Sequence, residues 1–262
     1  MKSAINRLSI CPIRSKPNDA AEMISQLLFG ERVQIIERYK SNWVKVRCIN
    51  DHYEGWMDPK QLSPIDTPSI GTAAVALEMA QPIFCDGLST IITIGSELPA
   101  YDGMTATIGT DKYRYSGQAL DPTAINRKAA FVERLAKRWL NVPYLWGGRS
   151  PFGVDCSGYT QIIYKCLGIP LSRDSIQQVQ EGEVIDFIEM TRIGDLAFFS
   201  KGSDKITHVG MMLDANKIIH ASGKVRIDSI DHYGIFNEEN QEYTHKLKIV
   251  KRYAKIVDDR DE

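Results

Sequence analysis

Residues 142–158, Val-Pro-Tyr-Leu-Trp-Gly-Gly-Arg-Ser-Pro-Phe-Gly-Val-Asp-Cys-Ser-Gly, constrain this chain more than any other stretch. A loop rich in Gly and Pro feeds Asp155-Cys156-Ser157-Gly158, and an apolar run follows at Tyr159, Ile162, Ile163, Cys166 and Leu167. Spacings of three and four are those of an amphipathic helix, which Gly168 and Pro170 stop. Cys156 is therefore expected at a helix start. Exposed backbone N–H groups and the helix dipole favour a thiolate there, so the thiol pKa is expected to fall. Such a nucleophile needs a histidine to manage its proton. The bland alternative is a small buried hydrophobe, the usual fate of a lone cysteine. The helix start by itself leaves the two readings even.

The histidines decide between them. There are five, at 52, 208, 220, 232 and 245. His208 stands in Thr207-His208-Val209-Gly210-Met211-Met212-Leu213, where a strand puts it on one face with Gly210 and Met212. So apolar a strand must supply partners for both ring nitrogens, and a satisfied core histidine is the competing reading. His220 ends the next strand, and the turn at Asp214 to Asn216 makes the two strands a hairpin. Cross-strand neighbours could then act as base and orienting residue. The other three histidines are expected at the surface.

Residues 1 to about 64 read as short strands with turns between them, which suggests a small barrel. Pro64, Thr67, Pro68 and Ser69 make a linker. The next segment, to about residue 120, repeats the theme through Ile91-Ile92-Thr93-Ile94 and Tyr113-Arg114-Tyr115. A helix is expected from Asp121-Pro122, with Ile125, Ala129, Val132, Leu135, Ala136 and Trp139 on its apolar face. Asp174 and Gln177 look like a capping box. Strands dominate afterwards, so the class is α+β. The formal net charge of −1 provides no basic field for nucleic acid or an anionic membrane. No run approaches the ~20 apolar residues of a membrane span, and no signal peptide is visible. The five cysteines are odd in number and widely spaced, against a disulfide framework or zinc site and for a reducing cytoplasm.

Pro143-Tyr144-Leu145-Trp146-Gly147-Gly148, Asp155-Cys156-Ser157-Gly158, Gly194-Asp195-Leu196-Ala197-Phe198-Phe199, Thr207-His208-Val209-Gly210 and His220-Ala221-Ser222-Gly223 together resemble the NlpC/p60 family of cell-wall cysteine peptidases. The motifs occur in family order over about residues 121 to 256. The Trp43-Val44-Lys45-Val46 and Gly55-Trp56 pattern of the first segment resembles a bacterial SH3 domain. The resemblance implies a papain-like domain at 121–262, preceded by SH3-like barrels at 1–64 and 65–120, the first closing the cleft. It implies Cys156 as nucleophile, His208 as base, His220 as orienting residue and Tyr144 as support for the oxyanion.

The whole chain is similar to a subgroup with two such barrels, the γ-D-glutamyl-L-diamino acid endopeptidases. These act on free murein tri- and tetrapeptides that begin with L-Ala, in cytoplasmic recycling. In that subgroup a Glu, a Tyr, an Asp and the Ser after the nucleophile hold the L-Ala end. The matching positions here are Glu22, Tyr53, Asp174 and Ser157. A terminal ammonium in a closed pocket needs carboxylates. As plain structure, Asp174 would be a helix cap and Glu22 a solvated charge. No metal, cofactor, nucleic acid or membrane partner is implied, and a monomer is expected. Two other functions compete: a hydrolase of intact peptidoglycan with the barrels as wall anchors, and a non-catalytic wall-binding module.

Overall fold

Alternation of apolar and polar residues is the local cause of the N-terminal strands. In Trp43-Val44-Lys45-Val46-Arg47, Val44 and Val46 point inward and are fully buried, while Lys45 and Arg47 pair with Glu54 of the next strand. The computed structural model describes residues 2–40, 42–65, 73–121, 127–202, 205–253 and 256. Thr67 to Ser69 of the expected linker, and Pro122 and Ile125 of the expected helix, lie outside them. The chain divides into two units, one of residues 1–125 with 146–151, the other of 126–145 with 152–262.

In the first unit, β1 (Lys2–Ile5), β2 (Ile10–Arg14), β3 (Met23–Leu28), β4 (Arg32–Tyr39), β5 (Trp43–Cys48), β6 (Glu54–Met57) and β7 (Ser63–Ile65) form one sheet, ordered β3-β2-β6-β5-β4-β1-β7. It encloses Ile13, Leu27, Val33, Val44, Val46 and Met57. Burying each such side chain stabilises the fold by roughly 1.5–3 kcal/mol. Seven further strands follow: β8 (Ala74–Ala76), β9 (Ala80–Cys85), β10 (Leu88–Thr93), β11 (Glu97–Leu98), β12 (Thr105–Ile108), β13 (Asp111–Tyr115) and β14 (Ala119–Leu120). They make two sheets, β10-β9-β13-β12 and β11-β8-β14. Ile5 and Phe29 of the first body complete the core of the second, with Phe29 edge-on to Tyr113. Gly30 allows this approach: at φ +79 a Cβ would stand 2.0 Å from the Glu97 carbonyl oxygen. The segment Trp146 to Pro151 belongs to this unit too. Within it, Arg149 of β15 (Arg149–Ser150) forms a buried two-pronged ion pair with Glu31, at 2.9 and 3.0 Å.

The second unit holds α1 (Ala129–Lys137), β16 (Gly153–Val154), α2 (Cys156–Cys166) and α3 (Ser175–Gln178). The rest is β17 (Glu183–Ile185), β18 (Leu196–Ser200), β19 (His208–Asp214), β20 (Lys217–Ser222), β21 (Lys224–Ile230), β22 (Gly234–Asn237) and β23 (Glu242–Arg252). Of the expected helical face, Ala129, Val132, Leu135 and Ala136 lie on α1, which begins at Ala129 after an extended Lys128 that caps it without a side-chain bond. The sheet runs β17-β23-β18-β19-β20-β21-β22, and the long β23 pairs with β22 as well as β18, closing a barrel. Bulges at Phe198/Phe199 and Ile235/Phe236 supply the bending. α2 packs on β19 and β20. Tyr159 of α2 stacks edge-on against Trp139 and donates to the Ala136 carbonyl, tying α2 to α1. Among the described residues no helix is long and apolar enough to cross a membrane.

Candidate active site

Asp155 starts α2. Its carboxylate accepts the Gly158 N–H at 2.7 Å, the N-cap bond that a helix start requires. Arg173, fully buried, grips the same carboxylate through two nitrogens at 3.0 and 2.6 Å. The Ser157 hydroxyl closes the cluster, accepting from Arg173 at 2.9 Å and donating to Asp155 at 3.3 Å. A charged pair held this way is strongly oriented. It pins the first turn of α2, and so Cys156, to one place.

Cys156 is 6% exposed. Its thiol pKa does not fall as the helix start predicts. Burial, and then the neighbouring Asp155 charge, push it up to about 12, against N–H groups of Val209 and Ser157 and the Arg173 charge. The carboxylate that caps the helix thus offsets the dipole. The Val209 N–H at the sulfur places Cys156 beside β19, one residue from His208.

His208 and His220 come together as the hairpin predicts. Gly210 is the residue opposite His220, and the two rings meet diagonally, His208 Nε2 to His220 Nδ1 at 2.8 Å. A Cβ on Gly210 would lie 2.8 Å from the Cβ of His220, so only glycine leaves room for the pair. Two partners stand beyond the expected triad. His220 Nε2 lies 2.9 Å from Asp228 Oδ2, and Arg226 donates to Asp228 Oδ1 at 2.8 Å. Against burial, these His220 and Arg226 bonds hold the Asp228 carboxyl below its ordinary value. The chain of bonds fixes the protons. An ionised Asp228 only accepts, so His220 carries its proton on Nε2 and offers Nδ1 as acceptor. His208 must then donate from Nε2, which leaves Nδ1 bare. Burial, followed by His220, His245 and Lys201, keeps His208 well below the usual histidine pKa. Its imidazole is neutral at pH 7.

His245 corrects an expectation. It is 9% exposed, not at the surface, and its ring stacks on His208 with centroids 4.2 Å apart. Burial, then His220 and Lys201, lower its pKa to about 4, and Thr244 Oγ1 lies 2.8 Å from its Nδ1. Its position before an exposed lysine on an amphipathic strand contains no signal of this. Asp228 was legible only as one of an Arg226/Asp228 pair on the strand after His220.

Tyr144 is held by backbone bonds to Gly223 and an isolated bridge to Val154. Burial, then the charges of Cys156 and Asp155, raise its phenol pKa. The hydroxyl therefore remains a donor at neutral pH. Asp174 caps α3 and shares a capping box with Gln177, whose side chain accepts the Asp174 N–H at 3.2 Å. Glu22 and Tyr53 lie in the other unit. There Glu22 accepts the Trp146 indole N–H at 2.7 Å, and the Tyr53 N–H donates to Asp51. Among the described residues no cluster of three or more His, Cys, Asp or Glu is arranged to hold a metal.

Residues 141–245 match the model of the NlpC/P60 family, and residues 13–62 that of the bacterial dipeptidyl-peptidase SH3 domain. The chain is 30% identical over 233 residues to a γ-D-glutamyl-L-lysine dipeptidyl-peptidase of Bacillus cereus, covering 78% of this chain and 68% of that one. It is 30% identical over 246 residues to dipeptidyl-peptidase 6 of Lysinibacillus sphaericus, covering 83% and 88%. A solved NlpC/P60 family protein from Bacillus cereus superposes with a TM-score of 0.81 at 21% identity, over 96% of this chain and 99% of that chain.

Proposed function

The chain belongs to the NlpC/P60 family of peptidases, and from that premise we propose that it is a cysteine endopeptidase cutting the γ-D-glutamyl-L-diamino acid bond of free murein peptides. The single observation that carries the chemistry is the bonded series His208–His220–Asp228 beside Cys156. It presents a bare Nδ1 on His208, in the unit where the thiol is fixed by the Asp155–Arg173 cap. The substrate is read from the relatives' names and from the requirement of an ammonium for carboxylates.

The raised thiol and lowered imidazole make the resting pair neutral. Attack is then general-base catalysed. His208 Nδ1 takes the proton as Cys156 Sγ bonds to the γ-carbonyl carbon. The carbonyl oxygen becomes an oxyanion, to which Tyr144 donates. His208 passes the proton to the departing amine, the C–N bond breaks, and a thioester remains. Water, deprotonated by His208, hydrolyses it and restores the thiol. Asp228 stabilises the imidazolium that forms twice in each cycle. Asp174 and Ser157 are the groups of this unit that face the L-Ala ammonium in this reading. The five free cysteines suit a reducing cytoplasm, where such peptides would be recycled.

The test compares free L-Ala-γ-D-Glu-diamino acid tripeptide, its N-acetylated form and intact sacculi, with products identified by mass spectrometry. Cleavage of the free peptide alone is expected, with none by Cys156→Ala. Asp174→Asn should lose about ten- to a hundredfold in kcat/KM on the free peptide, the size of one charge-assisted contact. Equal cleavage of all three substrates would establish a wall hydrolase instead.

A further inference from the structure

His245 and Phe199 have no part in the proton transfers of the hydrolytic cycle, yet both rings lie against His208. His245 is stacked on it, with centroids 4.2 Å apart and planes 30° apart. Phe199, fully buried, stands beside both, its ring centroid 5.9 Å from that of His208 and 6.1 Å from that of His245. The three rings come from three strands, β19, β18 and β23. The backbone of His245 is itself held tightly. It stands opposite Ile235 of β22, where the ladder bulges, and Thr244 Oγ1 lies 2.8 Å from its Nδ1. At the adjoining Gly234, with φ +144, a Cβ would stand 1.8 Å from the His245 carbonyl oxygen, so β22 and β23 meet there without spare room.

The bond that His208 makes does not by itself fix its ring. The 2.8 Å contact with His220 holds Nε2. A ring held at Cγ and Nε2 can still swivel about the line joining them, and Nδ1 lies off that line. The swivel keeps the His220 bond while it swings the Nδ1 lone pair out of reach of a thiol proton, which a general base must approach closely. A flat neighbour on the ring face opposes this motion, because tilting drives the ring edge into it.

We propose that His245 is a positioning residue for the chemistry of Cys156: its flat ring, with Phe199 beside it, sets the tilt of His208 so that Nδ1 faces the thiol while Nε2 stays bonded to His220. The inference rests on the hydrolytic reading, in which His208 is the base. The position calls for a flat, uncharged face. Burial, then His220 and Lys201, lower the His245 pKa to about 4, so the imidazolium that forms on His208 meets a π face and not a second cation.

The experiment compares His245→Phe with His245→Leu. Both side chains are apolar and unable to hydrogen-bond, and phenylalanine alone has a flat ring. Two quantities are measured at pH 7: kcat and KM on the free L-Ala-γ-D-Glu-diamino acid tripeptide, and the rate of Cys156 alkylation by iodoacetamide, read by peptide mass mapping. His245→Phe should keep kcat within about threefold of wild type. His245→Leu should lower kcat by about ten- to a hundredfold with KM changed less than about threefold, the size of effect expected when a reacting group is misplaced by an ångström or less. Cys156 alkylation should slow by a similar factor in His245→Leu alone, with Cys85 labelled equally in all three proteins. A role in packing only would act on both variants alike and leave Cys156 reactivity in place. Equal kcat in the two variants, a loss carried by KM, or unchanged alkylation in His245→Leu would overturn the proposal. So would a His245→Leu protein that fails to fold, because the residue would then serve stability. If the wild type cleaves no such peptide, the hydrolytic reading fails and alkylation still decides. Slowing in His245→Leu and not in His245→Phe upholds the positioning of His208; equal rates overturn it.

Discussion

Removing the Asp228 carboxylate tests the proton arrangement at its remote end. In Asp228→Ala nothing compels His220 to carry its proton on Nε2. Once His220 holds it on Nδ1, the 2.8 Å bond to His208 reverses. His208 then carries its proton on Nδ1 and has no lone pair for the thiol. The second loss is electrostatic. Bonds of 2.8 and 2.9 Å in series set Asp228 at roughly 8 Å from the centre of the His208 ring. At an effective dielectric near 20, an imidazolium there is stabilised by about 2 kcal/mol, or about thirtyfold in rate. Tautomer loss adds to this, so kcat should fall by about 10²- to 10³-fold with KM changed little. Asp228→Asn keeps the shape, but its amide NH2 must face either Arg226 or His220, both of which donate, so it should recover only part of the loss. Leaving Arg226 without its main partner should also lower stability by about 1–3 kcal/mol, so each variant is checked by thermal unfolding and assayed well below its Tm. Steady-state kinetics on the free tripeptide gives both constants. An Asp228→Ala protein that is folded and has kcat within about twofold of wild type would refute the relay.

Two other outcomes follow from the histidine cluster. His245 has a folded pKa near 4 against an ordinary 6.5, so the unfolded chain binds more protons between those values. The stability it contributes is complete above pH 6.5 and is lost as pH falls towards 4. Tm should therefore drop across that window, and His245→Phe, which keeps the stack and cannot protonate, should flatten the slope; an unchanged slope in differential scanning fluorimetry would contradict the assignment. Because burial pushes the Cys156 thiol up, its reactivity at pH 7 should depend on His208 as base. His208→Ala should slow Cys156 alkylation at least about tenfold and leave the more exposed Cys85 unaffected, as read by peptide mass mapping; equal Cys156 labelling in both proteins would show an independently formed thiolate.

Much of the site was legible because it depends on local spacing. The three-and-four apolar pattern after Cys156, the capping Asp155 and the Gly168 stop produce α2 from nearest-neighbour physics alone. Two-residue periodicity around a short turn suffices to place His208 and His220 on one face of a hairpin, and the glycine at 210 marks where a ring needs room. Motif order on top of this identified the family. Other properties came from packing between elements distant in the chain. His245 is buried because β23 bends across both β18 and β22, a closure that no local pattern encodes. Asp228 becomes the third partner only through the register of β21 on β20. The thiol expectation failed for the same reason. A helix dipole can be read from the sequence, but desolvation and the nearness of the Asp155 charge depend on how deeply α2 packs against β19 and β20. Spacing along the chain thus determined that Cys156, His208 and His220 are the candidates for the chemistry. Burial and long-range contact, which exist only in the folded molecule, decided their proton states.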